Sequence, residues 1–116
     1  MTREEVISYI DEKYNAQPEK MWQKYPHYVV FRHQRNRKWF GILMDVSTEN
    51  LGLAGDEMID VLDVKLPSAT VAEMVNEPGY LPAYHMNKTH WITVRLDQVS
   101  AEEVEQLLAM SYKLTE

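Results

Sequence analysis

Two runs of β-forming residues, Tyr28–His33 and Lys38–Val46, stand four residues apart, and that spacing constrains the fold more than any other feature of the chain. Both are rich in Val, Ile, Tyr, Phe and Trp, whose branched or aromatic side chains suit a pleated surface. The link, Gln34-Arg35-Asn36-Arg37, is too short for a parallel crossover, so the two strands must run antiparallel as a hairpin. Asn36 is its turn-former, although the link lacks the glycine of the strongest hairpin turns. A third strand is expected over residues 58–66, where Leu62, Val64 and Leu66 alternate with Val61, Asp63 and Lys65 until Pro67 stops it. A fourth follows, with Ile92, Val94 and Leu96 alternating with Trp91, Thr93 and Arg95.

Helices bracket these strands. Thr2 and Glu5 form a capping box for a helix over 2–15, which carries Val6, Ile7, Ile10 and Tyr14 on one face. A short helix at about 68–77 presents Val71, Met74 and Val75 before Pro78-Gly79. Ser100 and Glu103 make a second capping box, opening a helix to about 110 with Val104, Leu107, Leu108 and Ser111 turned inward. Tyr112 and Leu114 are expected to dock behind it, and Trp22 to serve as core or as a lid on its edge.

The element order α-β-β-β-α-β-α predicts an α+β fold: a mainly antiparallel sheet of at least four strands with helices packed on one face. The other face is expected to be open, exposing Trp91, Thr93 and Arg95 beside Lys65 and Arg32 as a candidate binding surface.

The 116 residues suffice for one domain with one core. With no cysteine there is no disulfide, thiolate nucleophile or cysteine-held metal, which suits a reducing cytoplasm. The N-terminus has no apolar h-region and no stretch approaches a membrane span, so a soluble, cytoplasmic chain is expected.

Charge is unevenly spread. The chain carries −6 overall, yet Lys24, Arg32, Arg35, Arg37 and Lys38 fall in a stretch free of acids. Asp45, Glu49, Asp56, Glu57, Asp60 and Asp63 then follow without a base. Lys88 and Arg95 again lack acidic neighbours between residues 78 and 96. A local patch is what phosphate binding requires, so Arg32, Arg35, Arg37, Lys38, Lys65, Lys88 and Arg95 are candidate contacts to a DNA backbone. The same hairpin charges also serve as a solvated turn that discourages edge pairing.

The passage Pro82-Ala-Tyr-His-Met-Asn-Lys-Thr-His-Trp91 gathers histidines, a lysine, an asparagine and aromatics with no acid. Tyr84, His85, Asn87, His90 and Trp91 are therefore the candidates for an alternative, non-enzymatic role as an adaptor for a protein or small ligand. Asn87 and the histidines equally suit a loop locked onto its own backbone, with Trp91 as a packing anchor. His85 and His90, with Asp63 or His27, make a poor metal set, because the histidines are not a helical i, i+4 pair. No catalytic constellation is visible: there is no nucleophile-elbow serine and no phosphate-binding glycine loop. Neither an enzyme nor a cofactor is expected.

Four stretches resemble the MmcQ/YjbR family of small bacterial proteins: Lys38-Trp39-Phe40, Val64-Lys65-Leu66-Pro67, the passage Pro82–Trp91, and Ser111-Tyr112-Lys113-Leu114. The resemblance covers about Tyr28 to Leu114. One departure is Arg37, where the family often has glycine. The resemblance implies a CyaY-like fold, an antiparallel sheet packed on helices, and the family is often labelled DNA-binding through a proposed double-wing arrangement. The likeness to CyaY also invites an iron reading of Glu4, Glu5, Asp11 and Glu12. These acids are more simply a solvated helix face and helix-dipole partners. Two geometries separate the readings. Backbone binding requires the cations on one continuous face; an adaptor requires an aromatic-lined hollow at the signature loop.

Overall fold

The computed structural model describes residues 1–116. Helix α1 (Arg3–Tyr14) leads into strands β1 (Glu19–Lys20), β2 (Val29–Arg32) and β3 (Trp39–Ser47). A 3-10 turn at Thr48–Leu51 precedes β4 (Met58–Lys65). Helix α2 (Ser68–Met74), strands β5 (Tyr80–Pro82) and β6 (Trp91–Arg95), and helix α3 (Ala101–Thr115) complete the chain. All six strands join one antiparallel sheet in the order β1-β2-β3-β4-β6-β5. The expected α+β architecture is therefore the observed one. The edge strands β1 and β5 were not legible, since two or three residues carry no periodicity. No helix is long and apolar enough to cross a membrane.

Both helix starts use the expected serine or threonine. At α1 the box is complete: Glu5 N–H donates to the Thr2 hydroxyl at 3.1 Å and Thr2 N–H donates to the Glu5 carboxylate at 2.8 Å. At α3 Glu103 N–H donates to Ser100 at 3.2 Å, but the Glu103 carboxylate turns to accept the Tyr80 hydroxyl. Helix α3 also runs past its expected end near 110. The Ser111 hydroxyl donates to the Phe40 carbonyl at 2.7 Å and accepts Lys65 N–H at 2.9 Å, tying the last turns to β3 and β4. Tyr112 docks by stacking on Tyr14 at 4.3 Å, whereas Leu114 stays exposed.

One sheet face carries the main core. Val29, Phe31, Leu43, Leu62, Val64, Ile92 and Val94 meet Val6 and Ile10 of α1 and Val104, Leu107 and Leu108 of α3. A β-bulge sets the phase of β3: Phe31 opposes Gly41 while Arg32 opposes Trp39, leaving Phe40 as the extra residue. Phe40 thereby joins the helix-side core, and Trp39 shares the other side with Ile42 and Met44.

That other face is not open. Tyr28, Val30, Ile42, Met44, Val46, Val61, Ala83 and Trp91 form a second core, with Trp22, Tyr84 and Met86 packed over it. Trp91 is only 7% exposed and Thr93 fully buried, so the expected exposed surface of Trp91, Thr93 and Arg95 does not exist. The reason lies in β2 and β3, whose second face is itself apolar; leaving Val30, Ile42, Met44 and Val46 in water would forfeit their burial.

Candidate functional site

The signature loop is held by its own backbone and by the sheet. The Asn87 side-chain oxygen accepts from Thr89 N–H at 2.8 Å and His90 N–H at 3.3 Å. Trp91 N–H closes the turn on the Asn87 carbonyl at 3.0 Å, and Leu66 N–H reaches the His90 carbonyl at 3.0 Å. Asn87 and Trp91 thus shape and anchor the loop. His85 takes a left-handed conformation, φ 64°, which turns the chain between Tyr84 and Met86.

Beneath the loop lies a buried polar relay. Tyr84 N–H donates to the Thr93 hydroxyl at 2.8 Å, and that hydroxyl donates to Asp63 Oδ1 at 2.5 Å. Asp63 has no exposure, and its Oδ2 has no partner. Burial pushes this carboxyl well above the usual carboxylate range, opposed by the Thr93 hydrogen bond and the charge of Lys88. A buried carboxyl that resists ionisation therefore sits under the loop. No three His, Asp or Glu side chains stand close enough together to hold a metal ion.

Above the second core a hollow of about 230 Å³ opens between the segment before β2 and the signature loop. Trp22, Tyr25 and Tyr28 wall one side, Tyr84, His85 and Met86 the other, and Ile42 and Met44 form the floor. Tyr25 N–H bonds the Trp22 carbonyl at 3.2 Å and Tyr28 N–H the Tyr25 carbonyl at 3.0 Å. These successive three-residue turns bring the three rings together. Tyr25 stacks on Tyr28 at 4.7 Å, and Trp22 meets Tyr28 edge-on at 6.1 Å and Trp39 at 5.9 Å. Burial, with Tyr84 and Asp45 adding to it, pushes the Tyr28 hydroxyl well up, so it stays protonated. Of the residues expected from the loop, Tyr84 and His85 line this hollow, and Asn87, His90 and Trp91 do not. Trp22, Tyr25 and Tyr28 were missed as site residues. Their i, i+3, i+6 spacing, running through the connecting segment up to the first residue of the expected strand, was the available signal.

The strand register sorts the cations. Antiparallel pairing brings the start of β3, the end of β4 and the start of β6 to one end of the sheet, beside the hairpin turn. Arg35, Lys38, Lys65 and Lys88 gather there, and none of them joins an ion pair. The opposite end collects Asp45, Asp60 and Asp97 and the acidic loop with Glu49, Asp56 and Glu57. Arg95 belongs to that acidic end, opposite Val61 and held by Asp97 at 2.7 Å, so it does not extend the cationic patch. Arg32 and Arg37 are engaged too, pairing with Glu19 at 3.4 and 3.2 Å, and the Arg32 guanidinium lies 5.8 Å from the Trp39 ring centre. Arg37, at the position where the resembling family often has glycine, takes the left-handed conformation, φ 63°. The hairpin tip is no free wing either. Asn36 uses its side-chain oxygen for Lys38 N–H at 2.9 Å and its amide nitrogen for the Thr115 carbonyl at 2.9 Å, docking the turn on the end of α3.

Fold and site together define a small α+β protein with cations at one strand end and an aromatic hollow on the loop-covered face. The chain belongs to the YjbR family, whose model matches residues 11–114. It is 40% identical to the YyaQ protein of Bacillus subtilis (strain 168) over 116 residues, covering 99% of this chain and 98% of that one. A crystal structure of a Pseudomonas syringae protein, 44% identical, superposes with a TM-score of 0.97 over the whole of both chains. A solution NMR structure from the same organism, also 44% identical, gives 0.89 over 100% of this chain and 94% of that one. The Deinococcus radiodurans protein DR2400 shares the fold at a TM-score of 0.71 and 24% identity, over 97% of this chain and 77% of that one.

Proposed function

We propose that the protein binds the phosphate backbone of DNA, without performing chemistry on it, through the rim of Arg35, Lys38, Lys65 and Lys88. The observation that carries this reading is that these cations stand at one end of the sheet without an ion pair, where Glu19 is already taken up by Arg32 and Arg37 and Glu116 shares a cavity with Arg35, while Asp45, Asp60, Asp97 and the acidic loop lie at the other end. A molecule with a net charge of −6 then approaches a polyanion by one end only, its own field orienting it. Phosphate contacts alone carry no sequence information, so binding is sequence-blind. A second reading, favoured by the aromatic hollow, is a non-enzymatic adaptor for a protein or small ligand at Tyr84 and His85.

Fluorescence anisotropy of a labelled duplex across a salt series tests the first reading. Four phosphate contacts give a log–log salt slope of about −3.6. The Arg35→Glu/Lys38→Glu variant should weaken binding and flatten that slope. Arg95→Ala, at the acidic end, should leave both unchanged. Absence of duplex binding at low salt, or an equal loss from Arg95→Ala, sinks the rim.

A further inference from the structure

We infer that the aromatic hollow receives one unpaired nucleobase, which makes single-stranded nucleic acid, rather than closed duplex, the preferred ligand. This deepens the backbone-binding reading and rests on it.

Three observations converge. The first is size: at about 230 Å³ the hollow falls below the roughly 300–1,000 Å³ of drug-sized sites, leaving room for a small planar group. The second is wall chemistry. Trp22, Tyr25, Tyr28 and Tyr84 supply rings, Met44 and Met86 supply polarizable sulfur, and the walls are almost wholly apolar. Such walls accept the π-face that every base has, and they offer almost no donors or acceptors to tell one base edge from another. The third is the position of charge. On one wall Lys24 precedes Tyr25 and lines, with Tyr25 and Tyr28, the cavity next to the hollow. On the other wall, Lys88 follows two residues after Met86 in the same loop. One lysine thus stands on each of the two chain segments that wall the hollow, Lys24 beside Tyr25 with Asp45 as its acidic neighbour and Lys88 in the loop, as a ligand with an apolar ring and charged phosphates on either side requires.

In a closed duplex the base faces are stacked on one another and cannot enter a hollow of this kind. The rim alone has no reason to favour one strand over two. Strand preference is therefore the property that separates the hollow from the rim.

The test compares three labelled oligonucleotides of equal length at one low salt concentration: an all-thymine strand, a strand of abasic residues, and a duplex. The thymine strand should bind at least fivefold tighter than the abasic strand, the low end of base–aromatic stacking. Trp22→Ala and Tyr84→Ala, each confirmed as folded by its amide NMR spectrum, should bring the thymine strand down to the abasic level while leaving abasic binding unchanged. Equal binding of the thymine and abasic strands overturns the base site, and so does a duplex that outbinds the thymine strand. If the Arg35→Glu/Lys38→Glu variant still weakens every ligand in either case, the rim reading survives alone. No binding of any of the three removes both.

Discussion

The two faces of the sheet are built on different terms. The helix-covered face is aliphatic at its centre, with Leu62, Val64, Ile92 and Leu108 fully buried against α1 and α3, and carries its rings, Phe31, Phe40, Tyr14 and Tyr112, at the hairpin end. Helices satisfy their own backbone groups, so their cover needs little but apolar side chains. The loop-covered face meets its cover with Trp, Tyr and Met, holds an acid with an unpaired oxygen, and keeps a hollow. A loop must borrow side chains to satisfy its backbone, which is what Thr93 does for Tyr84 N–H and Asn87 for Thr89 and His90. Where cover is irregular, packing is incomplete, and the space left is where a ligand can enter.

The largest effect should come from breaking the helix-covered face. Leu108→Ala is expected to cost about 2–5 kcal/mol in urea unfolding, because its cavity sits under helix and sheet alike. Trp22→Ala removes a larger side chain from the hollow's edge but should cost only about 1 kcal/mol, since the site is already partly solvated. Equal losses would mean the two faces are packed alike.

Thr93→Val sharpens the contrast on the loop side. It removes the acceptor of Tyr84 N–H and the donor to Asp63 in one step, with an expected cost of roughly 1–3 kcal/mol. Amide exchange at Tyr84 should accelerate; unchanged protection there would show that the relay does not hold the loop.

A smaller effect should appear in pH dependence. Asp63 titrates higher in the fold than in the unfolded chain, so its contribution is fully present below the unfolded value, about 3.9, and is lost as pH rises towards the folded one. His33 acts oppositely: burial lowers its pKa, so stability present above the unfolded value of about 6.5 is lost as pH falls. Asp63→Asn should therefore remove the decline in stability above pH 4 while leaving the His33 limb intact. Parallel curves for the two proteins would show that burial does not raise the titration of Asp63 in the fold.

Most of the helix-side core was legible before the structure. The alternation of Leu62/Val64/Leu66 and Ile92/Val94/Leu96, the stripe Val104/Leu107/Leu108/Ser111, and both helix starts follow from period and capping chemistry alone. The site was legible only in pieces. Tyr84 and His85 were singled out and line the hollow, while Trp91, weighed both as a ligand wall and as a packing anchor, is the anchor. Arg95 was grouped with cations that lie at the far end of the sheet, because proximity in sequence does not say which end of a strand a residue occupies.

By itself, then, the sequence determined the element order, the antiparallel pairing of the hairpin and the apolar face that the helices cover, all properties of local period and short links. Tertiary structure alone decided which side Phe40 and Trp39 take, through a bulge that no periodicity encodes. It decided the docking of 21–28 and 83–86 on the second face, which buries Thr93 and Asp63 and leaves the hollow between them. It also decided which cations remain free, because Glu19 and Asp97 claim theirs through contacts that depend on the folded chain. Local preference acts within a few residues; which surface a loop covers, and which charge finds a partner, are set by distances that exist only once the sheet has formed.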